Sequence, residues 1–250
     1  MVASNQEWEN AAKNDALYAI ASVKGKRNGK WDTADFFAKG EVFVSYIDNH
    51  LNKISKDSHV LDIGCGAGRI TKALAKRFSR VTGVDVSPTM INLARKLCSD
   101  VSNADFKLSN GTDFPINDNS MDLIVSFQVL QHVQQTALPQ ILNSYFNKLK
   151  VHGVAILHIP CPSLAATLKS WTRLVPLRRI ITLIVRKAFP DLNYSGRFWA
   201  NTQYHTYTKA EIERFLLSAG FYSVTSFRWR ENDPLTSVYL ATKSISENPA

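Results

Sequence analysis

The glycine-rich segment VLDIGCGAGRI, residues 60–70, constrains the fold more strongly than any other part of the chain. An apolar run leads into Gly64, Gly66 and Gly68, and a sequence with helical character follows. Glycine has no Cβ, so the backbone of such a turn can approach a ligand where any other residue would clash. The segment therefore predicts a strand, a tight turn and a helix that together bind a nucleotide-type ligand.

The spacing of these glycines disfavours two common nucleotide sites. A dinucleotide-binding turn has the pattern GxGxxG, but here the third glycine comes one position early and Arg69 stands where that pattern has glycine. This departure argues against NAD and FAD. A P-loop is excluded because no Gly-Lys-Ser or Gly-Lys-Thr follows.

Short β-rich runs alternate with helical segments from His59 onward. The first five runs are HVLDI, RVTGVDV, ADFKL, MDLIVSF and GVAILHI. This alternation predicts a mostly parallel sheet with helices on both faces. Two later runs, FYSVTSFRW and LTSVYLAT, are joined through the turn-forming ENDP and predict a C-terminal antiparallel hairpin at one edge. We therefore expect a Rossmann-like α/β domain with a seven-stranded sheet.

The chain divides into an N-terminal arm, residues 1–55, and an α/β domain, residues 56–245. The arm contains widely spaced aromatic residues without strand alternation, and residues 35–51 have helical apolar spacing. We expect a helical arm or lid. Within the domain, an insertion at about 161–203 follows the fifth strand, and we expect it to be helical.

Charge and cysteine content indicate the partners and the cellular compartment that suit the protein. The formal net charge of +9 favours an anionic partner such as nucleic acid, an acidic lipid surface or a phosphorylated metabolite. The three cysteines lie far apart and no histidine cluster has ligand spacing, so neither a disulfide framework nor a metal site is expected. No secretory signal or bilayer-length apolar run is present. We expect a cytoplasmic protein that is fully soluble or peripheral to a membrane.

Asp85 ends the strand that follows the glycine turn. It lies about 20 residues beyond that turn, where a carboxylate accepts hydrogen bonds from the two ribose hydroxyls of an adenosine ligand. A role as the neighbour of a helix N-cap is the alternative. The first interpretation predicts that Asp85 is essential for ligand affinity.

Three segments in succession resemble the motifs of class I S-adenosylmethionine-dependent methyltransferases. They are VLDIGCGAGRI, VTGVDVSPTMI and FPINDNSMDLIVSFQVLQHV, and the similarity covers roughly residues 58–160. The resemblance implies an enzyme with S-adenosylmethionine as its cofactor. The cofactor-binding positions that it implies are Asp62, Gly64, Cys65, Gly66, Asp85, Val86, Met90, Asn110, Gly111, Phe127 and Gln128.

The same resemblance implies a role for each position. The first four surround the methionine part, Asp85 holds the ribose, and the next two flank the adenine. Asn110 and Gly111 lie near the adenine amino group, where Asn110 replaces the acidic residue of many members but still offers an acceptor oxygen. The last two approach the methionine amino group and the transferring methyl.

Two histidines are candidate general bases. An oxygen acceptor must lose a proton during methyl transfer, whereas a neutral amine can attack first. His132 directly follows the fourth strand, at the carboxyl end of the sheet where ligands bind in open α/β folds, and His205 lies in the aromatic segment QYHTY. A packing role remains the alternative for both. We interpret the other histidines as structural.

Substrate choice is expected to depend on the arm and the insertion. The stretch WDTADFFAKGE resembles one that closes over the cofactor in some bacterial small-molecule methyltransferases, which would make Phe36, Phe37 and Gly40 lid residues. Packing of that helix on the sheet edge is the alternative. Residues 168–189 are both basic and apolar, which fits an amphipathic cap over the site, peripheral contact with anionic lipid, or contact with nucleic acid.

These observations favour an enzyme that transfers a methyl group from S-adenosylmethionine to oxygen or nitrogen of a small molecule, whether a metabolite, a sugar or a lipid-linked acceptor. Transfer to carbon is a less favoured alternative. The positive charge keeps an RNA methyltransferase as an alternative, whose binding should weaken steeply as salt rises. A cofactor-binding partner protein without catalysis is a third hypothesis.

Overall fold

The computed structural model describes residues 5–160, 205, 207–228 and 236–244. Its strands are β1 (His59–Ile63), β2 (Arg80–Asp85), β3 (Ala104–Leu108), β4 (Met121–Phe127), β5 (Leu149–Pro160), β6 (Phe221–Arg228) and β7 (Thr236–Lys243). Its helices are α1 (Asn5–Ile20), α2 (Thr33–Leu51), α3 (Arg69–Ala75), α4 (Pro88–Leu97), α5 (Leu138–Lys148) and α6 (Lys209–Ser218). A short 3₁₀ turn, Leu130–His132, follows β4.

The seven strands form one sheet in the order β3-β2-β1-β4-β5-β7-β6. The neighbours from β3 to β5 are parallel, and β7 is antiparallel to both β5 and β6. The predicted mostly parallel sheet with a C-terminal antiparallel hairpin at its edge is therefore confirmed. The insertion at about 161–203, including residues 168–189, and the ENDP turn lie outside the described residues.

Helices cover both faces of the sheet because the strands are apolar on both sides. In β1, Leu61 and Ile63 belong to the buried cluster that includes α5 and α6, whereas Val60 belongs to the cluster that includes α2 and α3. Successive side chains of a strand point to opposite faces, so one short strand contributes to both cores. This explains why β1 is apolar at almost every position.

Local signals set several helix ends. The Ser87 hydroxyl accepts a hydrogen bond from the Met90 amide, and Pro88 occupies the first turn of α4. Thr208 and Glu211 form a complete capping box at the start of α6. Both ends agree with the sequence signals.

The N-terminal arm is helical, as expected, but α1 is interrupted at Asp15. There the backbone is extended, with φ of −164° and ψ of 82°. The Asp15 carboxylate accepts hydrogen bonds from the amides of Tyr18 and Gly29. The break thus lets one carboxylate tie the second part of α1 to the loop before α2.

None of the helices in the described ranges combines the length and the apolar character needed to cross a bilayer.

Candidate functional site

A cavity of about 370 Å³ lies at the carboxyl edge of the sheet. It lies at the ends of the neighbouring strands β1 and β4. From β1 the chain continues to β2 on one side of the sheet, and from β4 it continues to β5 on the other side. Open α/β folds bind ligands at such a switch in strand order. The structure brings most of the sequence-predicted residues to its wall. They are Asp62, Gly64, Cys65, Gly66, Asp85, Val86, Met90, Gly111, Phe127, Gln128 and His132.

The glycine turn leaves no room for side chains on its inner surface. Gly64, Gly66 and Gly68 have φ of 74°, 53° and 83°, which disfavours residues with a Cβ. A Cβ on Gly64 would overlap the Val129 side chain, and a Cβ on Gly66 would lie 2.7 Å from Cδ1 of Ile20. The turn therefore needs glycine both for its conformation and for the approach of neighbouring groups.

The Asp85 carboxylate is held by the backbone around it. Its Oδ2 accepts a hydrogen bond of 2.9 Å from the Gly66 amide, and its Oδ1 accepts one of 2.9 Å from the Ser87 amide. Burial raises the pKa of Asp85, and these backbone hydrogen bonds oppose that effect. Each oxygen has a second lone pair, so the carboxylate can still accept two hydrogen bonds from a ligand.

Asp62 is a second buried carboxylate, at the end of β1. Its Oδ2 accepts a hydrogen bond of 2.6 Å from the Thr71 hydroxyl on α3. Burial is the largest cause that raises the pKa of Asp62, to about 6, while Thr71 and the charge of Arg69 act in the opposite direction. Asp62 therefore holds its proton more strongly than an exposed aspartate does, and positive charge added nearby would favour its ionised form.

The turn after β4 forms the opposite wall of the cavity. The Phe127 ring packs between the rings of Phe43 and His158, with centroid distances of 3.9 Å and 4.5 Å. Gln128 follows in the left-handed region, with φ of 59°. A non-glycine residue in this conformation is uncommon and is found where the surrounding structure holds it, often at functional sites.

The two candidate bases differ in position. His132 is buried in the cavity wall, where its ring meets the Trp8 ring edge-on at 5.0 Å. His205 does not line the cavity, and its backbone amide donates to the carbonyl of Gln131. The structure therefore places His132, but not His205, in the wall of the cavity.

Asn110 is the predicted cofactor residue that the structure does not bring to the cavity wall. Its side-chain oxygen accepts hydrogen bonds from the amides of Thr112 and Asp113, within its own turn. This oxygen is thus already engaged within its turn, and its contact with an adenine stays a prediction. Gly111 beside it does line the cavity.

The part of the N-terminal arm that reaches the cavity is α1 and not the expected α2. Phe36, Phe37 and Gly40 lie on α2 and do not line the cavity; a Cβ on Gly40 would overlap the backbone of Arg69 on α3. Thus α2 packs against α3 and one face of the sheet, whereas the alternative interpretation placed it at the sheet edge. The lining residues from the arm come from α1 and the segment after it: Asn5, Trp8, Ala19, Ile20, Ala21 and Ser22.

Two basic residues of the cavity wall were not assigned to the site from the sequence. His158, interpreted there as structural, lies two residues before the end of β5 at the same carboxyl edge as the predicted residues, which was the available signal. Arg69 begins α3 directly after the glycine turn. In the sequence it serves only as the residue that departs from the dinucleotide-binding pattern.

Comparison with known proteins identifies this region. Residues 60–153 match the methyltransferase domain family. This part of the chain is a methyltransferase domain. Members of this class use S-adenosylmethionine as their cofactor.

Two bacterial relatives match within this methyltransferase domain. Demethylmenaquinone methyltransferase of Tropheryma whipplei is 38% identical over 80 residues, which are 32% of this chain and 33% of that protein. Ubiquinone biosynthesis O-methyltransferase of Coxiella burnetii is 32% identical over 93 residues, 37% of this chain and 39% of that protein. The chain thus spans between a third and two fifths of the length of the relatives that it matches.

A solved structure extends the similarity of fold beyond the methyltransferase domain motifs. Magnesium protoporphyrin IX methyltransferase from Synechocystis, determined with bound S-adenosylhomocysteine, has a TM-score of 0.65 and 17% identity. The match covers 96% of this chain and 98% of that one. The fold is therefore that of S-adenosylmethionine-dependent methyltransferases.

Proposed function

We propose that the protein is an S-adenosylmethionine-dependent methyltransferase that acts on an oxygen or nitrogen atom of a small molecule. One observation supports this proposal most strongly. The Gly66 amide and the Asp85 carboxylate are joined by a hydrogen bond in the cavity wall, so the turn that must approach a ligand and the carboxylate suited to ribose face the same space.

The residues of the cavity fit this cofactor. The glycine turn is a cradle that a Cβ would fill, and Asp85 keeps lone pairs for two hydroxyls. Val86, Met90 and Gly111 supply a small, mostly apolar wall that suits an adenine ring. Asp62 is a buried carboxylate whose ionisation would be favoured by the positive charge of the cofactor.

In this proposal the protein acts mainly by orientation and exclusion of water. When bound, S-adenosylmethionine supplies an electrophilic methyl group on its sulfonium. Phe127 and Gln128 border the methionine end of the site, and holding the acceptor in line there can lower the barrier by several kcal/mol, on the order of 7 kcal/mol or more in favourable cases. His132 takes the proton from a hydroxyl acceptor at a ring nitrogen, whereas an amine acceptor does not require this step.

A small-molecule acceptor is supported by the enclosure of the site. A cavity of about 370 Å³ has the dimensions of small-molecule pockets, and α1 covers one side of it. The relatives named above carry the names of enzymes for small molecules. Metabolite, sugar and lipid-linked acceptors all agree with this proposal.

We further propose that α1 is the lid of the cofactor site, in place of the α2 residues. Trp8 contacts His132, and Ile20 lies against Gly66, so α1 touches both the acceptor side and the glycine turn. Exchange of a cofactor beneath these contacts requires α1 to move.

Contact of residues 168–189 with anionic lipid stays a prediction from the sequence. Flotation of the protein with vesicles of phosphatidylglycerol and, separately, of phosphatidylcholine would test it. Binding to the anionic vesicles alone is expected, and equal recovery with both would contradict the prediction.

Calorimetry with S-adenosylmethionine and NAD, followed by detection of S-adenosylhomocysteine in the presence of an acceptor panel, tests the main proposal. We expect binding of the first cofactor alone and product formation with a hydroxyl or amine compound. The alternatives give different results: an RNA enzyme should form product only with RNA and lose RNA binding as salt rises, and a partner protein should bind cofactor without turnover.

A matched variant tests the site. Asp85→Ala should weaken S-adenosylmethionine binding at least about 10-fold, because a charge-assisted hydrogen bond contributes about 1.5–3 kcal/mol. Asp57→Ala, an exposed carboxylate before β1, is the control and should leave affinity unchanged. Unchanged affinity in Asp85→Ala would refute the assignment of the ribose site.

A further inference from the structure

Arg69 places a positive charge inside the wall of the cavity. It is the first residue of α3, is 9% exposed, and lines the cavity beside the glycine turn. Its guanidinium lies over the rings of Phe36 and Phe127, 5.9 Å from each ring centroid. Two aromatic rings therefore fix the direction of the side chain.

This cation lacks a close anionic partner among the described residues. Its Nε–H is buried and donates to no acceptor within that part of the chain, and no ion pair of Arg69 is found among the described residues. The carboxylate of Asp62 acts on it only at longer range, and burial lowers the pKa of Arg69 to about 10. A buried charge without a partner is strongly destabilising, and a ligand that supplies the opposite charge would relieve this cost.

The position of Arg69 identifies the end of the cavity that would receive an anion. Asp85 ends β2 and Ser87 follows it, at the end assigned to the ribose. Arg69 instead lies against Phe127 at the end of β4, on the side assigned to the methionine part. A guanidinium has planar, paired donors that match a carboxylate, and methionine has its carboxylate at this end.

We infer that Arg69 binds the α-carboxylate of S-adenosylmethionine and so fixes the methionine part of the cofactor. The inference rests on the proposed function and adds a positioning residue to it. The charges of the wall then alternate with those of the ligand: Asp62 faces the positively charged amino and sulfonium groups, and Arg69 faces the carboxylate.

The inference has a direct competitor in an anionic acceptor. If Arg69 held a carboxylate or phosphate of the acceptor, its loss would affect the acceptor and leave the cofactor untouched. A cofactor that differs only in the carboxylate separates the two assignments. S-adenosylmethioninamine, the decarboxylated form, is such a compound.

The experiment is a double comparison by calorimetry on the full chain. Wild type, Arg69→Met and Arg69→Lys are titrated with S-adenosylmethionine and with S-adenosylmethioninamine. Arg80→Met, which removes an exposed arginine at the start of β2, is the matched control. Thermal unfolding of each apo variant is recorded alongside.

We expect wild type and Arg80→Met to prefer S-adenosylmethionine about 10- to 100-fold, as one charge-assisted interaction allows. Arg69→Met should lose this preference while its affinity for the decarboxylated form stays unchanged, and Arg69→Lys should retain part of it. The apo melting temperature of Arg69→Met should equal or exceed that of wild type, because an unpaired buried charge is removed.

Two results would overturn the inference. Preference retained in Arg69→Met would assign the residue to another anion, and absence of preference in wild type would show that the carboxylate is not recognised. A wild type that binds neither compound would overturn the proposed function itself. A lowered melting temperature with weakened binding of both compounds would assign Arg69 a structural role and refute the inference.

Discussion

The carboxylate of Glu9 on α1 accepts a hydrogen bond of 2.6 Å from the hydroxyl of Ser87 at the start of α4. The amide and the hydroxyl of Thr89 donate to the same carboxylate at 3.1 Å and 2.6 Å. Ser87 also donates its amide to Asp85. Ser87 thus links the attachment of α1 directly to the carboxylate assigned to the ribose.

Replacing Glu9 should loosen the lid. In Glu9→Gln the side chain is neutral, so its hydrogen bonds to Ser87 and Thr89 are no longer charge-assisted. The rate of hydrogen exchange in residues 5–20 and the rate of S-adenosylmethionine dissociation should each increase by about 10-fold. Glu213→Gln, which removes a surface carboxylate on α6, should change neither rate. Faster exchange without faster dissociation would mean that α1 does not control the exit of the cofactor.

The same attachment should depend on pH in the acidic range. Hydrogen bonds from Ser87 and Thr89 lower the pKa of Glu9 from 4.5 to about 2. A lowered folded-state pKa means that the carboxylate stabilises the closed lid fully above pH about 4.5 and ceases to do so as the pH falls through about 2. The protection factors of the α1 amides, which correct for the intrinsic pH dependence of exchange, should therefore fall over this interval in wild type, and this fall should be absent in Glu9→Gln.

Contact between Ile20 and Gly66 predicts a specific rescue. Gly66→Ala should weaken cofactor binding for two reasons, since its φ of 53° disfavours alanine and its Cβ would meet Cδ1 of Ile20 at 2.7 Å. Ile20→Ala removes the second cause alone. Affinities measured for both single variants and the double variant should show a partial recovery, whereas additive losses would place Ile20 away from the turn in solution.

Cofactor binding should release a proton near pH 6. Burial raises the pKa of Asp62 from 3.8 to about 6, so a fraction of the apo protein carries this proton at that pH. Positive charge on the ligand favours the ionised form and lowers the pKa again. Calorimetry at pH 6 in buffers of different ionisation enthalpy should detect the release, and Asp62→Asn should abolish it. A signal that persists in the variant would assign the proton to another group.

The base assignment can be tested once an acceptor is known. His132→Gln should lower turnover of a hydroxyl acceptor by about 100-fold or more, with the dissociation constant of S-adenosylmethionine unchanged. His205→Gln, outside the cavity wall, is the matched control and should turn over at nearly the rate of wild type. Near-normal turnover of an oxygen acceptor in His132→Gln would remove His132 from this role.

The strand pattern and the glycine turn were sufficient to predict the sheet and many of the residues that line the cavity. Both depend on local spacing: β1 runs into Gly64, and Asp85 ends the adjacent strand. Neighbouring parallel strands end at the same edge, so residues at their carboxyl ends must meet. Local spacing therefore carried the prediction across this part of the site.

Other parts of the site arise from contacts that no local pattern contains. Trp8 and His132 are far apart in the chain, and their contact depends on how α1 crosses the finished domain. Asn110 has the right place in the sequence, but its short side chain bonds to its own turn, as asparagine readily does. Arg69 had a signal, a charge directly after the glycine turn, yet its burial is set by packing against Phe36 and Phe127.

The place of β7 has a consequence for the order of assembly during synthesis. Residues 236–243 are made after β6, yet they lie between β5 and β6. Until residues 236–243 have been synthesised, β5 has an open edge and β6 has no strand to pair with. By then β1–β4 and the glycine turn have already been synthesised. The ligand-binding half can therefore form early, and a nascent chain carrying it would still expose an unpaired strand edge to chaperones and to aggregation.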